Sequence, residues 1–308
     1  MLESLLDKRI VLISGKGGVG RTSVAAAVAV AAARVGKRVL LTEIADMEQS
    51  ASPLAQLFGR ERLSTEPIQL AERLSACHLW APKGHELFLR SILPGGALIA
   101  AALRSKALQT FLTAAPSFLE MGWFYHLLEL LRAHTSEGQP THELIVIDMP
   151  ATGHTLALTG LPTVLNRLIQ RGPIAKALVE GQAYMNDPQH AAAWVVTLPE
   201  ILPVSEAIEL VGGLRRTSVP LGCVVLNRVP TDPFTPDERD RLTALLDGKP
   251  VLGALDFHRV TRAREAAERL RSEVGLPLLE LHEVIAEGEK LVGAMVDQLG
   301  GHSVGEAP

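Results

Sequence analysis

Ile10-Val11-Leu12-Ile13-Ser14-Gly15-Lys16-Gly17-Gly18-Val19-Gly20-Arg21-Thr22 decides the fold. Four apolar residues, then serine and glycine, read as a strand buried on both faces, as in a parallel sheet. The stretch Gly15–Thr22 follows the pattern Gly-x4-Gly-Lys-[Ser/Thr], with Arg21 in the lysine slot. Its glycines let the backbone curl round a phosphate with N–H groups pointing inward. An alanine-rich helix is expected from about Thr22 to Val35, stopped by Gly36. The positive end of that helix adds to the anion site. Val39-Leu40-Leu41-Thr42 is the next strand. Strand, loop, helix and strand in this order are the context a phosphate loop requires. A nucleotide is the expected ligand, held by Gly15, Gly17, Gly18, Val19, Gly20, Arg21, Thr22 and Ser23.

Further apolar runs extend the sheet. Leu144–Asp148, Ala193–Thr197 and Gly222–Asn227 read as strands, with short ones expected at Leu79–Ala81 and Val251–Leu255. Helical spacing occurs over Ser205–Arg216, and 277–299 reads as a helical end. Residues 85–133 are helical in pattern, broken at Pro94-Gly95-Gly96 and at Pro116. Strands alternating with helices predict an α/β fold with a doubly wound, mostly parallel sheet. We expect one domain over 1–308, with 85–133 as a helical insertion.

Composition narrows the function. A net charge of −4 argues against nucleic acid as a partner. Two distant cysteines, Cys77 and Cys223, make neither a disulfide framework nor a Cys-x-x-Cys metal site. The N-terminal residues lack a signal-peptide core, and the apolar run 23–33 is shorter than the ~20 residues of a membrane span. A cytoplasmic chain is expected.

Asp148 ends an apolar strand, where a carboxylate can hold Mg²⁺ together with the Thr22 hydroxyl. It opens Asp148-Met149-Pro150-Ala151-Thr152-Gly153-His154-Thr155-Leu156. This segment, with Gly-Lys-Gly-Gly-Val-Gly-x-Thr, resembles the ArsA-type ATPases. These include the arsenite-pump ATPase and the ATPase that escorts tail-anchored membrane proteins, and the likeness runs over about 9–285. The resemblance implies ATP/ADP and Mg²⁺ as cofactors and a P-loop NTPase acting as a dimer switch. It implies that Lys16 reaches the partner subunit's nucleotide and that Gly153 and His154 lie in a γ-phosphate sensor. It makes Asn227 the reader of the adenine edge, with Pro199 and Glu200 beside the base.

Two departures bear on hydrolysis. Arg21 keeps a charge, but its planar guanidinium is bulkier than an ammonium. The resemblance also calls for an aspartate that positions the attacking water, and its slot falls on Ala45. Asp46 lies one residue late and Glu43 two early. Lys16, Arg21 and Asp46 are therefore the candidate catalytic residues of an ATPase expected to turn over slowly. Two alternatives remain open: a non-hydrolysing scaffold subunit of a heterodimer with a competent relative, and a chaperone for hydrophobic or tail-anchored segments. The mate is a second copy or a related ATPase, and membrane contact is expected only through a partner. The cysteines match neither the metalloid nor the zinc sites of relatives, so arsenite transport is not expected. Apolar residues of the insertion, among them Phe88, Leu89, Phe111, Leu112, Met121, Trp123 and Phe124, would line a client groove or pack on the core.

Overall fold

The computed structural model describes residues 7–44, 52–93, 95–106, 110, 118–150, 155–157, 159–160, 171–246 and 252–301. Its strands are β1 (Ile10–Gly15), β2 (Val39–Ile44), β3 (Ile68–Ala71), β4 (Leu74–Leu79), β5 (Leu144–Asp148), β6 (Ala191–Thr197), β7 (Leu221–Val229) and β8 (Leu278–His282). They form one sheet in the order β3-β4-β2-β5-β1-β6-β7-β8. Every pairing is parallel except the β3–β4 hairpin at the edge. Beyond β1 the chain builds out in both directions, so strand order reverses beside it, the place where open α/β sheets bind ligands.

Side-chain alternation along β1 shows how the sheet is clad. Ile10 and Leu12 face one apolar core, Val11 and Ile13 the other. On the second face lie α1 (Arg21–Arg34), α2 (Pro53–Leu57) and α10 (Gly288–Gly301). The small side chains of α1 bring it close to the sheet, and Val24 to Ala29 are fully buried. On the first face pack α3 (Ala81–Ile92), α5 (Phe118–Arg132), α6 (Pro173–Met185), α7 (Ile201–Arg215) and α9 (Ala254–Val274). Two further helices among the described residues are α4 (Gly96–Arg104) and α8 (Pro236–Leu246).

Several sequence expectations need correction. Leu79 ends β4, and Ala81 already belongs to α3, where Pro82 sits at a helix start that tolerates it. The helical block therefore begins before residue 85. Residues 254 and 255 open α9 rather than close a strand. Gly253, at φ 87°, caps that helix in a left-handed conformation. The last strand is β8, inside the stretch read as a helical end. Phe257, Val260, Ala263, Ala267, Leu270 and Val274 recur at helical spacing and are all buried along α9.

The helical block packs on the core. Phe88, Leu89, Met121, Trp123 and Phe124 are buried in the first core, and Ile99, Leu103, Phe118 and Leu119 pack against it. Phe111 and Leu112 lie outside the described residues. The crossing of α3 and α5 is close because both carry glycine there. A Cβ on Gly84 would collide with the Gly122 carbonyl, and one on Gly122 with Ala81. Trp80 N–H, at the head of α3, donates to Nδ1 of buried His126 on α5 at 3.1 Å, and burial pushes that ring's pKa down to about 4. A neutral imidazole can accept this bond.

Gly84→Ala should therefore destabilise the protein by at least about 1–3 kcal/mol, the usual cost of overpacking a core. Urea denaturation would measure it, and an unchanged midpoint would contradict the close crossing.

Candidate functional site

β1 ends at Gly15, and the loop 16–20 leads directly into α1. Gly20 caps α1 with φ 87°, a left-handed conformation, and a Cβ there would collide with the Asn227 amide. Glycine is thus required twice over, by conformation and by space. The first turn of α1 has no side-chain cap and no acidic residue, so its N-terminal positive end is left for an anion.

Register brings the strand-end carboxylates to this loop. Ile13 pairs with Asp148 across β1–β5, and Glu43 pairs with Asp148 across β2–β5. Thr22 Oγ1 donates to Asp148 Oδ2 at 2.6 Å. Asp148 Oδ1 is buried and has no hydrogen-bond partner among the described residues. Burial raises the Asp148 pKa to about 6, with Glu43 adding to the rise and Thr22 and Arg21 opposing it. An orphaned, buried carboxylate oxygen beside a hydroxyl is a donor set that fits a hard cation such as Mg²⁺.

Glu43 has its own work. It accepts from the Ser52 hydroxyl and, at 3.3 Å, from Leu54 N–H. Ser52 in turn accepts from Ala55 N–H at 2.8 Å as the cap of α2, with Pro53 at the first helical position. Burial raises the Glu43 pKa, and these two bonds counter the rise. The Ser52-Pro53 pair was the sequence signal for this contact.

Arg21 reaches past the loop. Its Nη1 donates to Met149 O at 2.7 Å and to Pro150 O at 2.6 Å. Burial lowers the guanidinium pKa, and Asp148 offsets part of that. Lys16 forms an ion pair with Glu206 of α7 at 2.9 Å, with its side chain 54% exposed. Glu206 carried no sequence signal of this role.

Asn227 lies buried near the end of β7, and its Nδ2 donates to Val19 O at 2.9 Å. That uses one of the two amide N–H groups. A cavity of about 170 Å³ opens beside it, lined by Gly20, Ser23, Asn227, His282, Glu283 and Met295 among others. Pro199 stands in the turn between β6 and α7 and does not line this cavity. Asp46, Gly153 and His154 lie outside the described residues. Cys77 and Cys223 are both buried, and no cluster of metal-binding side chains occurs among the described residues. Nor is any described helix long and apolar enough to cross a membrane.

Known proteins are similar to this chain in sequence. ATPase BagA of Mycobacterium tuberculosis is 29% identical over 225 residues, covering 71% of this chain and 65% of BagA. ATPase get3 of Botryotinia fuckeliana is 28% identical over 227 residues, covering 70% of this chain and 60% of its own length. The arsenical pump-driving ATPase of Escherichia coli is 29% identical over 221 residues, covering 71% of this chain and 34% of the pump protein. The chain therefore spans less than two thirds of the length of these curated relatives. The model of the anion-transporting ATPase family matches residues 8–180, more than half of the 308. On this match the chain belongs to the anion-transporting, or ArsA-type, ATPase family.

Proposed function

We propose that the chain is a single-domain ATPase that binds ATP with Mg²⁺ at the loop 15–22 and acts as a nucleotide-controlled dimer switch in the cytoplasm. The observation that carries this is the Thr22–Asp148 pair beside the open N-terminus of α1. Loop N–H groups and the helix end bind the phosphates, and Thr22 and Asp148 hold the cation. Bound there, Mg²⁺ neutralises charge on the phosphates. Asn227 and its neighbouring cavity take the base. In hydrolysis a water oxygen bonds to the γ-phosphorus and the bridging oxygen leaves with ADP, giving phosphate and a proton. The loop amides stabilise the charge that develops.

Lys16 completes the site of the mate, identical or related. Its pair with Glu206 is half exposed and worth at most about 1 kcal/mol, so the lysine leaves it readily for a phosphate. A scaffold subunit with little turnover is the second reading, favoured by the engagement of Arg21 with Met149 and Pro150. The client-groove reading loses ground to the buried packing of Phe88, Met121, Trp123 and Phe124.

Sedimentation with and without Mg²⁺ and ATP tests the switch. Wild type should shift from monomer to dimer, and Lys16→Ala should remain monomeric with turnover reduced about 10- to 100-fold. An unchanged dimer in Lys16→Ala would remove the lysine from the mechanism.

Asp148 gives a test by pH. Its carboxyl titrates near 6 when folded, against 3.8 when free. Below the lower value both states are protonated and no penalty exists. Between the two, the unfolded chain ionises first, and folding stability is lost as pH rises through about 6. Asp148→Asn should therefore stabilise the nucleotide-free protein above pH 6 by an amount on the order of 3 kcal/mol, vanishing below pH 4. Millimolar Mg²⁺ should raise the melting temperature of wild type at pH 7.5 and not of the variant. An equal response of both proteins would place the cation elsewhere.

A further inference from the structure

Arg21 stands at the first position of α1, yet its charge is spent beyond the loop. Nη1 donates to the carbonyls of Met149 and Pro150, the two residues that follow β5. The Pro150 carbonyl also accepts from Thr155 Oγ1 at 3.1 Å, and Thr155 Oγ1 accepts from Ser14 Oγ at 3.1 Å. The exit of β5 is thus held from two sides, by α1 through Arg21 and by β1 through Ser14 and Thr155. The arginine stem crosses the start of the loop, where its Cγ would stand 3.3 Å from a Cβ on Gly15.

The chemistry of the side chain suits a brace. A guanidinium is always charged, and its donors point in fixed directions. Bonds from a cation to carbonyl oxygens at 2.6–2.7 Å are of the strong, charge-assisted kind. These two bonds and the nearby Asp148 carboxylate offset the burial of the charge. A phosphate drawing the guanidinium inward would have to take Nη1 from both carbonyls.

We propose that Arg21 is a positioning residue for the exit of β5 rather than a phosphate ligand. It fixes Met149 and Pro150 against the loop, and so sets where Asp148, the last residue of β5, presents its carboxylate to Thr22. Only the affinity arm of the test rests on the nucleotide reading above; the exchange arm does not.

The test uses the full chain. Amide exchange of Met149, whose N–H donates to Ile13 O at 3.0 Å, is followed by NMR without nucleotide, and ADP affinity by calorimetry. Arg21→Ala should speed exchange at Met149 more than threefold and weaken ADP binding less than tenfold. Unchanged exchange overturns the proposal, and so does a loss of ADP affinity beyond tenfold, the mark of a phosphate contact. Arg21→Gln, closer in size and uncharged, should behave in the same way and serves if the alanine variant does not fold. Thr155→Val, which removes the other donor to Pro150 O, should also speed Met149 exchange. Failure of wild type to bind ADP would sink the nucleotide reading and leave the exchange arm to decide the brace.

Discussion

The pairing of β1 with β5 on one side and β6 on the other is the constraint on which the site depends. β1 is buried on both faces, so every backbone group along it must bond to a neighbouring strand. The bonds fix register: Ile13 lies opposite Asp148, and Gly15 opposite Val196. The loop therefore leaves the sheet level with the end of β5, and the first turn of α1 is brought against Asp148. A one-residue slip would turn Asp148 to the other face and put Ile147 in its place. Both apolar cores oppose that slip, because Ile147 belongs to one and Val146 to the other.

Charge sharpens the same arrangement. Asp148 and Glu43 are opposite one another on adjacent strands, both buried, and Glu43 adds to the cost of ionising Asp148. Glu43 relieves its share by accepting from Ser52 and Leu54, a contact that also anchors α2. Asp148 keeps one oxygen without a partner. Leaving a buried acceptor unmade costs about 1–3 kcal/mol, so the fold holds this oxygen at an expense that a bound cation would remove. Arg21 lowers the cost through its nearby charge, while its Nη1 donates to the carbonyls of Met149 and Pro150.

The elements legible from sequence were those buried on both faces. Ile10–Ser14 and Leu144–Asp148 are continuous apolar runs, and such runs in a chain with a phosphate loop have few other homes. The edges were not legible in the same way. Leu278-Leu279-Glu280-Leu281-His282 reads like part of a helix, because leucine and glutamate favour helices and only one side of an edge strand must pair. β3 and β4 join through Arg73 at φ 59°, a turn position at which sequence offers no glycine signal. In the site, the glycine loop, Thr22 and Asp148 were legible because their chemistry is local. The Arg21 bonds were not, since they span 128 residues and depend on how far the exit of β5 stands from α1. The Lys16–Glu206 pair was hidden for the same reason: α7 carries two acidic residues, Glu206 and Glu209, and only packing selects one.

The packing of the helical block limits how its helices can move. α5 is buried on nearly all sides, with every residue from Glu120 to Leu128 buried. It crosses α3 at two glycines and meets α6 where Phe124 fills the space above Gly181. Such packing has no slack for a helix to slide independently, since closely packed interiors transmit displacement rather than absorb it. Among the described residues of the block, Ile92 and Leu98 are exposed large apolar side chains. A displacement of α5 would therefore carry α3 and α6 with it rather than open a groove between them.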